Sequence, residues 1–351
     1  MKTIILTGGG TAGHVMPNIA LIPKLKENGF EIHYIGTADG IEKKLISELS
    51  DVTYHEISSG KLRRYFSLKN LSDPFKVLKG IVQSKRIIKS VKPDAVFSKG
   101  GFVSVPVVIA ASKKVPVVAH ESDYTPGLAN KIGAKFCDKI CVSFEDTLKY
   151  VGKKGVYTGS PVRGELLMGD AEAGRRFLGF DSKPVITVMG GSLGAAALND
   201  AVRKSLPMLL KSYNVLHICG AGKVDESIAY DGYVQREFIS AELKDVLKCT
   251  SLMVSRAGAN AIFEFLALRL PSILVPLPIY ASRGDQILNA KYFEEKGYSV
   301  TLDQDSITPE LLTDTIEKLY SERAEYVKRM SEDEGSDGTQ KVFEVIISSI
   351  K

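Results

Sequence analysis

The sequence predicts an α/β protein made of two doubly wound, Rossmann-like domains facing each other across a cleft. Three observations predict it. An apolar strand, a glycine turn and a helical repeat occur between Thr3 and Leu25 and recur between Val185 and Leu198. Small or polar residues close one apolar run after another (Lys99-Gly100-Gly101, His120-Glu121, Arg256-Ala257-Gly258), as they do at the carboxyl ends of parallel strands. A length of 351 residues is enough for two full-sized cores.

Composition sets limits on function. Hydrophobic content of 44% and charged content of 25% belong to a soluble globular protein. The longest apolar stretches, Val103 to Ala111 and Phe265 to Tyr280, are short or broken by Arg269 and prolines, so no transmembrane span is expected. The run between Lys2 and Gly8 is too short for a signal peptide. None of Cys137, Cys141, Cys219 and Cys249 has CxxC spacing, and Cys137 and Cys141, four apart, are expected on a buried helix face. The expectation is a cytoplasmic, reduced protein with no metal and no cofactor. Net charge is +5, unevenly placed: Lys61 to Lys92 holds ten Lys or Arg against Asp73 alone, which makes this segment +9 and the rest −4.

In the first half, Thr3 to Thr7 is a strand running into Gly8-Gly9-Gly10-Thr11-Ala12-Gly13-His14, followed by Ile19, Leu21, Ile22 and Leu25 at helical spacing. Gly8, Gly10 and Gly13 fit a dinucleotide fingerprint weakly, because the next strand (Glu31 to Ile35) ends in Gly36-Thr37 without a carboxylate. Asp73-Pro74 reads as a helix start. Asp94 to Ser98 and Val115 to Ala119 are further strands, so His14, Gly100, Gly101, His120 and Glu121 are expected to gather beyond the strand ends.

The domain boundary is placed near Pro161, giving domains 1–160 and 161–330, with 331–351 an amphipathic helix returning to the first domain. In the second half, strands Val185 to Met189, Val215 to Cys219 and Tyr233 to Ile239 lead to Leu252 to Val254. There a turn at Ser255 to Asn260 opens a helix with Ile262, Phe263, Leu266 and Leu270, and Ser272 to Pro278 leads to a helix opened by Gln286. Helix N-termini present unpaired N–H groups suited to a pyrophosphate. Glu264, read as first-turn, could hold a ribose or simply complement the helix dipole, and Gln286 could hold sugar hydroxyls or cap its helix.

Such a cleft makes a nucleotide-sugar transferase plausible. Asp303-Gln304-Asp305 has DxD spacing but precedes Thr308-Pro309 and reads as turn and cap chemistry. Without a metal, the leaving diphosphate would rest on Gly190 to Gly194 and Arg163. His14, His120, Glu121 and Asp123 are candidates for the general base, with His14 favoured by its place after the glycine loop and Glu121 second; a helix cap or packed side chain is the alternative for His14. Tyr65, Phe66, Leu68 and Leu71 stand among Arg63, Arg64 and Lys69, followed by Phe75, Leu78, Ile81 and Val82. They are expected to make a peripheral contact with an anionic membrane surface.

The motifs GGGTAGHVMPN, SKGGFVS, HESDYTPGLANK, TGSPVR, MGGSLGA, SRAGANAIFEF and GDQILNA together resemble the MurG family, the bacterial lipid II-forming N-acetylglucosaminyltransferases of the GT-B fold. The resemblance spans nearly the whole chain in order. It implies inverting transfer of GlcNAc from UDP-GlcNAc to the muramyl 4-hydroxyl of lipid I at the cytoplasmic membrane face, with the first domain taking acceptor and membrane and the second taking UDP-GlcNAc. It places Thr11, Ala12 and Gly13 at the transferred sugar and acceptor, Arg163 and Ser192 at the diphosphate, and Ile239 at the uracil through its backbone. Ala259, Asn260, Ala261, Ile262, Phe263 and Glu264 would border the nucleotide, and Gln286 and Asn289 the GlcNAc. Asp123, where relatives read Asn, also belongs to the implied substrate site. Other cell-wall synthesis proteins are implied partners; nucleic acid is not. The competing classes are a UDP-GlcNAc epimerase of the same fold, an NAD-dependent oxidoreductase argued from Gly8, Gly10 and Gly13, and a membrane or nucleic-acid adaptor argued from the basic segment alone.

Overall fold

Ile4 and Leu6 pack on one face of the first strand and Ile5 on the other, all fully buried, so this strand lies at the centre of a sheet covered on both sides. The computed structural model describes residues 2–60, 69–191, 195–333, 335 and 338–350, the side chains of 69–72 excepted. They form two units, Met1–Arg163 with Gly335–Lys351 and Gly164–Glu334.

The first unit alternates β1 (Lys2–Thr7), α1 (Met16–Glu27), β2 (Phe30–Gly36), α2 (Ile41–Ser47), β3 (Val52–Glu56), α3 (Lys69–Val91), β4 (Ala95–Ser98), α4 (Ser104–Ala111), β5 (Val117–Glu121), α5 (Leu128–Gly133), β6 (Lys139–Val142), α6 (Leu148–Val151) and β7 (Gly155–Tyr157). The second runs α7 (Ala171–Leu178), β8 (Val185–Met189), α8 (Ala196–Leu209), β9 (Asn214–Ile218), β10 (Tyr233–Arg236), α9 (Leu243–Cys249), β11 (Thr250–Ser255), α10 (Ala259–Leu268), β12 (Ser272–Leu274), α11 (Asp285–Glu295), β13 (Ser299–Thr301) and α12 (Pro309–Ser331). The last helix, α13 (Gly338–Ser349), places Val342, Phe343 and Ile346 in the first unit's core beside α1.

Both sheets are parallel. Their strand orders are β3-β2-β1-β4-β5-β6-β7 and β10-β9-β8-β11-β12-β13. The order reverses between β1 and β4 in the first sheet and between β8 and β11 in the second, and a doubly wound sheet offers its ligand crevice at that reversal, beyond the carboxyl ends.

Several expectations need correction. The helix α3 begins at Lys69 and carries Pro74 inside it, so Asp73-Pro74 is not its start. The strand β5 runs on through His120 and Glu121, which brings both inside the sheet edge. The strand β12 stops at Leu274: Val275 donates the last ladder bond to Ser255 O at 2.8 Å, and Pro276 and Pro278 have no N–H to extend it. The strand β10 stops at Arg236 rather than Ile239. Cys137 lies before β6 and Cys141 within it, both buried, so neither is on a helix.

The second unit contains a pH-sensitive support. His217, fully buried in β9, makes a 3.0 Å bond with Asn199 Oδ1 through Nε2 and a 2.9 Å bond with Tyr233 Oη through Nδ1. Burial, with the nearby Arg203 adding to it, pushes its pKa down to about 3. The folded state therefore holds His217 neutral, and the stability this gives is complete above the unfolded value of about 6.5 and lost as pH falls toward 3. Denaturant titrations of the parent should lose roughly 2 to 3 kcal/mol between pH 7 and 4.5 from this group, and His217→Gln should flatten that part of the profile. An equal acid dependence in the variant would remove His217 as its source.

Candidate active site

The first unit's reversal point is framed by the residues after β1 and β4. Strand register sets Thr7 opposite Ser98, and Lys99 donates its N–H to Thr7 O at 2.8 Å. The glycine turn is held from below: Tyr34 donates to Gly8 O at 2.6 Å, and Asn18 Nδ2 donates to Thr7 O at 3.2 Å and Tyr34 Oη at 3.1 Å. Gly10 has φ +86, and a Cβ there would lie 2.4 Å from the Phe102 ring.

Glu42, fully buried in α2, turns its carboxylate into this turn, accepting from Gly10 N and Thr37 N at 3.1 Å each and from Thr37 Oγ1 at 2.5 Å. A dinucleotide pyrophosphate would meet that negative charge at the very amides it needs. The weak glycine fingerprint is therefore not a dinucleotide site, and the acid that stabilises the turn comes from a helix the motif does not include.

Thr11 precedes a short 3₁₀ turn at Ala12–His14, and its Oγ1 lies 2.8 Å from His14 Nδ1. Gly101, at φ +78, lets the loop after β4 rest against this segment: a Cβ there would lie 2.2 Å from Gly9 O and 3.3 Å from His14 Cγ. Thr11, Ala12, Gly13, His14 and Gly101 thus share one surface of the first unit, while Gly100, at φ +89, is buried against Asn130.

The other two expected members differ. His120 is fully buried, with Nε2 on Gly159 O at 3.0 Å, and burial holds its pKa well below the usual range. It faces the sheet interior. Glu121 is 5% exposed; Oε1 accepts from Asp123 N at 3.0 Å, and Oε2 from Gly127 N at 2.9 Å and Asn130 Nδ2 at 2.8 Å. Burial raises its pKa, but both oxygens are committed to shaping the 122–127 loop. Asp123 and Arg163 are partly exposed, and Arg163 is the last residue of the first unit before Gly164.

At the second unit's reversal point, β8 leads to Gly190 and Gly191, and β11 to Arg256-Ala257-Gly258. Ser255 Oγ donates across to Met189 O at 2.9 Å, joining the two strand ends. Ser192 lies outside the described residues. The helix α10 has Gly258 as its N-cap and no side-chain cap bond, and Ala259, Asn260 and Ala261 form its first turn. Ile262 and Phe263 are buried on its core side. Glu264, partly exposed, is in the second turn and not the first, which removes dipole complementation as its explanation.

Gln286 is the second residue of α11, whose N-cap is Gly284. Its Oε1 accepts from Leu277 N at 3.0 Å, so it braces the loop after β12 instead of capping. Asn289 is fully buried and donates to Ala257 O at 3.1 Å, tying α11 to the turn before α10. Ile239, in the loop after β10, is partly buried against the core cluster that includes Leu216, Ile218 and Val246.

Asn130, Lys99 and Arg256 lie inside the quoted motifs but carried no role in the sequence reading, and Glu42 lies outside all of them. Arg256, 8% exposed, donates to Val275 O at 2.9 Å, Pro276 O at 3.3 Å and Gln304 Oε1 at 2.5 Å, clamping the loops after β11 and β12. An arginine at the end of an apolar run was the available signal. The DxD segment is a cap, with Asp303 accepting from Asp305 N and Thr308 from Leu311 N.

Two parallel doubly wound units with glycine turns at both reversal points define a protein of the GT-B class. Residues 4–142 match the glycosyltransferase family 28 N-terminal domain and residues 185–345 the family 28 C-terminal domain. The UDP-N-acetylglucosamine--N-acetylmuramyl-(pentapeptide) pyrophosphoryl-undecaprenol N-acetylglucosamine transferase of Clostridium tetani is 54% identical over 98% of this chain and 97% of its own. The protein of that name from Lachnospira eligens is 55% identical over 100% of both. The crystal structure of Acinetobacter baumannii MurG matches with TM-score 0.78 and 26% identity, covering 99% of this chain and 100% of that one. This chain belongs to the MurG family within glycosyltransferase family 28.

Proposed function

We infer that this chain transfers GlcNAc from UDP-GlcNAc to the muramyl 4-hydroxyl of lipid I, giving lipid II for peptidoglycan, with inversion. The observation that carries this reading is full-length identity of 54 to 55% to proteins named for the reaction. The test is UDP release from UDP-GlcNAc with and without lipid I. Acceptor-dependent release is expected; release without acceptor would point to an epimerase or hydrolase.

The first unit is the acceptor half and the second the donor half. In the donor half, the α10 N-terminus and Gly190-Gly191 take the diphosphate, Glu264 takes the ribose, and Ile239 meets the uracil through its backbone; Arg163, at the end of the first unit, and Ser192, outside the described residues, are assigned to the diphosphate by the family resemblance alone. Gln286 addresses the GlcNAc, and Asn289 acts by fixing Ala257. In the acceptor half, Thr11, Ala12, Gly13 and Asp123 line the sugar site. His14 is the base. If Nδ1–H donates to Thr11 Oγ1, Nε2 carries the lone pair that removes the acceptor proton. Glu121 is less suited, because N–H donors already occupy both its oxygens.

The protein works as a peripheral partner of the anionic cytoplasmic leaflet. No helix among the described residues is long and apolar enough to cross a membrane. Phe75, Leu78 and Val82, at one-face spacing on α3, are 73%, 60% and 50% exposed. Beside them an open cavity of 610 Å³ is lined by Lys85, Arg86, Lys89, Lys92 and Lys114. Each cation adds about 1 kcal/mol of attraction near an anionic surface. Phe66, Leu68, Arg63 and Arg64 lie outside the described residues, as does the side chain of Leu71. Replacing Phe75, Leu78 and Val82 together by Ser is expected to cut binding to phosphatidylglycerol vesicles about tenfold or more, with UDP-GlcNAc affinity kept. Undiminished vesicle binding would exclude this face.

A further inference from the structure

Lys99 follows β4 at the first unit's reversal point, and its side chain is 1% exposed. Its stem lies under the glycine turn, where a Cβ on Gly8 would be 3.0 Å from Lys99 Cβ. Its Nζ donates to Ser122 Oγ. A lysine is almost never buried this fully without charged partners. Here the carboxylates of Glu121 and Asp123, from the segment ending β5, favour its charge; His120 of β5 and Cys141 of β6 are the other titratable groups facing it. Glu121 is immobilised by three N–H donors. Asp123 is the partly exposed member of the pair.

We propose that Lys99 is a positioning residue of the transfer reaction: its buried ammonium, anchored on Ser122, holds the 122–127 loop and with it the Asp123 carboxylate presented to a hydroxyl or N–H of the sugar substrate. The proposal rests on Asp123 being a substrate group. An ionised carboxylate accepts hydrogen bonds only, whereas an amide would also donate, so the placement of the loop decides which substrate hydroxyl or N–H Asp123 can meet. Burial pushes the Lys99 ammonium down to about 8 against the pull of both carboxylates. The charge is thus lost just above neutral pH, and an alkaline limb near pH 8 is expected in kcat/KM.

The test is a double-mutant cycle on the full chain, measuring transfer with UDP-GlcNAc and lipid I each varied in turn. Lys99→Met is expected to lower kcat/KM about tenfold or more in the parent but only about threefold or less in the Asp123→Asn background. Equal losses in both backgrounds overturn the proposal. If Asp123→Asn leaves kcat and both KM values unchanged, the placement of Asp123 at the substrate fails, and the proposal fails with it. Should Lys99→Met not fold, the alkaline limb decides: removing the Asp123 carboxylate is expected to move it to lower pH, because an opposite charge raises a lysine pKa. A limb that stays in place overturns the coupling.

Discussion

His14→Ala is expected to bind UDP-GlcNAc as the parent does and to lose roughly 10² to 10⁴ in turnover, the usual share of general-base catalysis. Inverting transfer requires the acceptor hydroxyl to lose its proton as the sugar–phosphate bond breaks, and imidazole titrates in the right range for this. His14 Nδ1 lies 2.8 Å from Thr11 Oγ1 and Gly101 approaches its ring closely, so the position of the ring is restrained. Neither His120 nor Glu121 offers the same. The first is fully buried against Gly159 O, and the second has both oxygens engaged with the loop it shapes. Donor affinity by calorimetry and steady-state transfer rates separate the two effects. Turnover within about tenfold of the parent would place the base elsewhere.

Glu264→Ala is expected to weaken UDP-GlcNAc binding by about 1.5 to 3 kcal/mol, the range for hydrogen bonds to a charged group. The reasoning is positional. Glu264 lies a full turn into α10, partly exposed, on a helix whose neighbours Ile262, Phe263 and Phe265 are packed inward. A carboxylate there does not stabilise the helix end, and its two oxygens suit the adjacent hydroxyls of a ribose. UDP should therefore lose as much affinity as UDP-GlcNAc, while 2′,3′-dideoxy-UDP should bind parent and variant alike. Unchanged UDP affinity in a folded variant would remove the ribose assignment.

Sequence alone determined the class of fold and the carboxyl ends of β1, β4 and β8. The pattern of apolar run, glycine turn and helical spacing is local, and it recurs at Thr3 and Val185 because each unit buries a parallel strand on both faces. The motifs after Thr7, Ser98, Met189 and Ser255 could be read for the same reason: glycine and polar residues mark where a buried strand meets its ligand crevice. Strand order could not be read, since nothing local says that β1 lies beside β4 or β8 beside β11; only the assembled sheets make those four ends the reversal points. The tertiary structure likewise decided what distant side chains do. It sent Glu42 into the glycine turn, turned His120 inward because β5 is two residues longer than its apolar run, and spread three N–H donors over Glu121. It also buried Lys99 against Ser122, 23 positions away. Each of these depends on burial and on partners far along the chain, and a period or a motif carries information about neither.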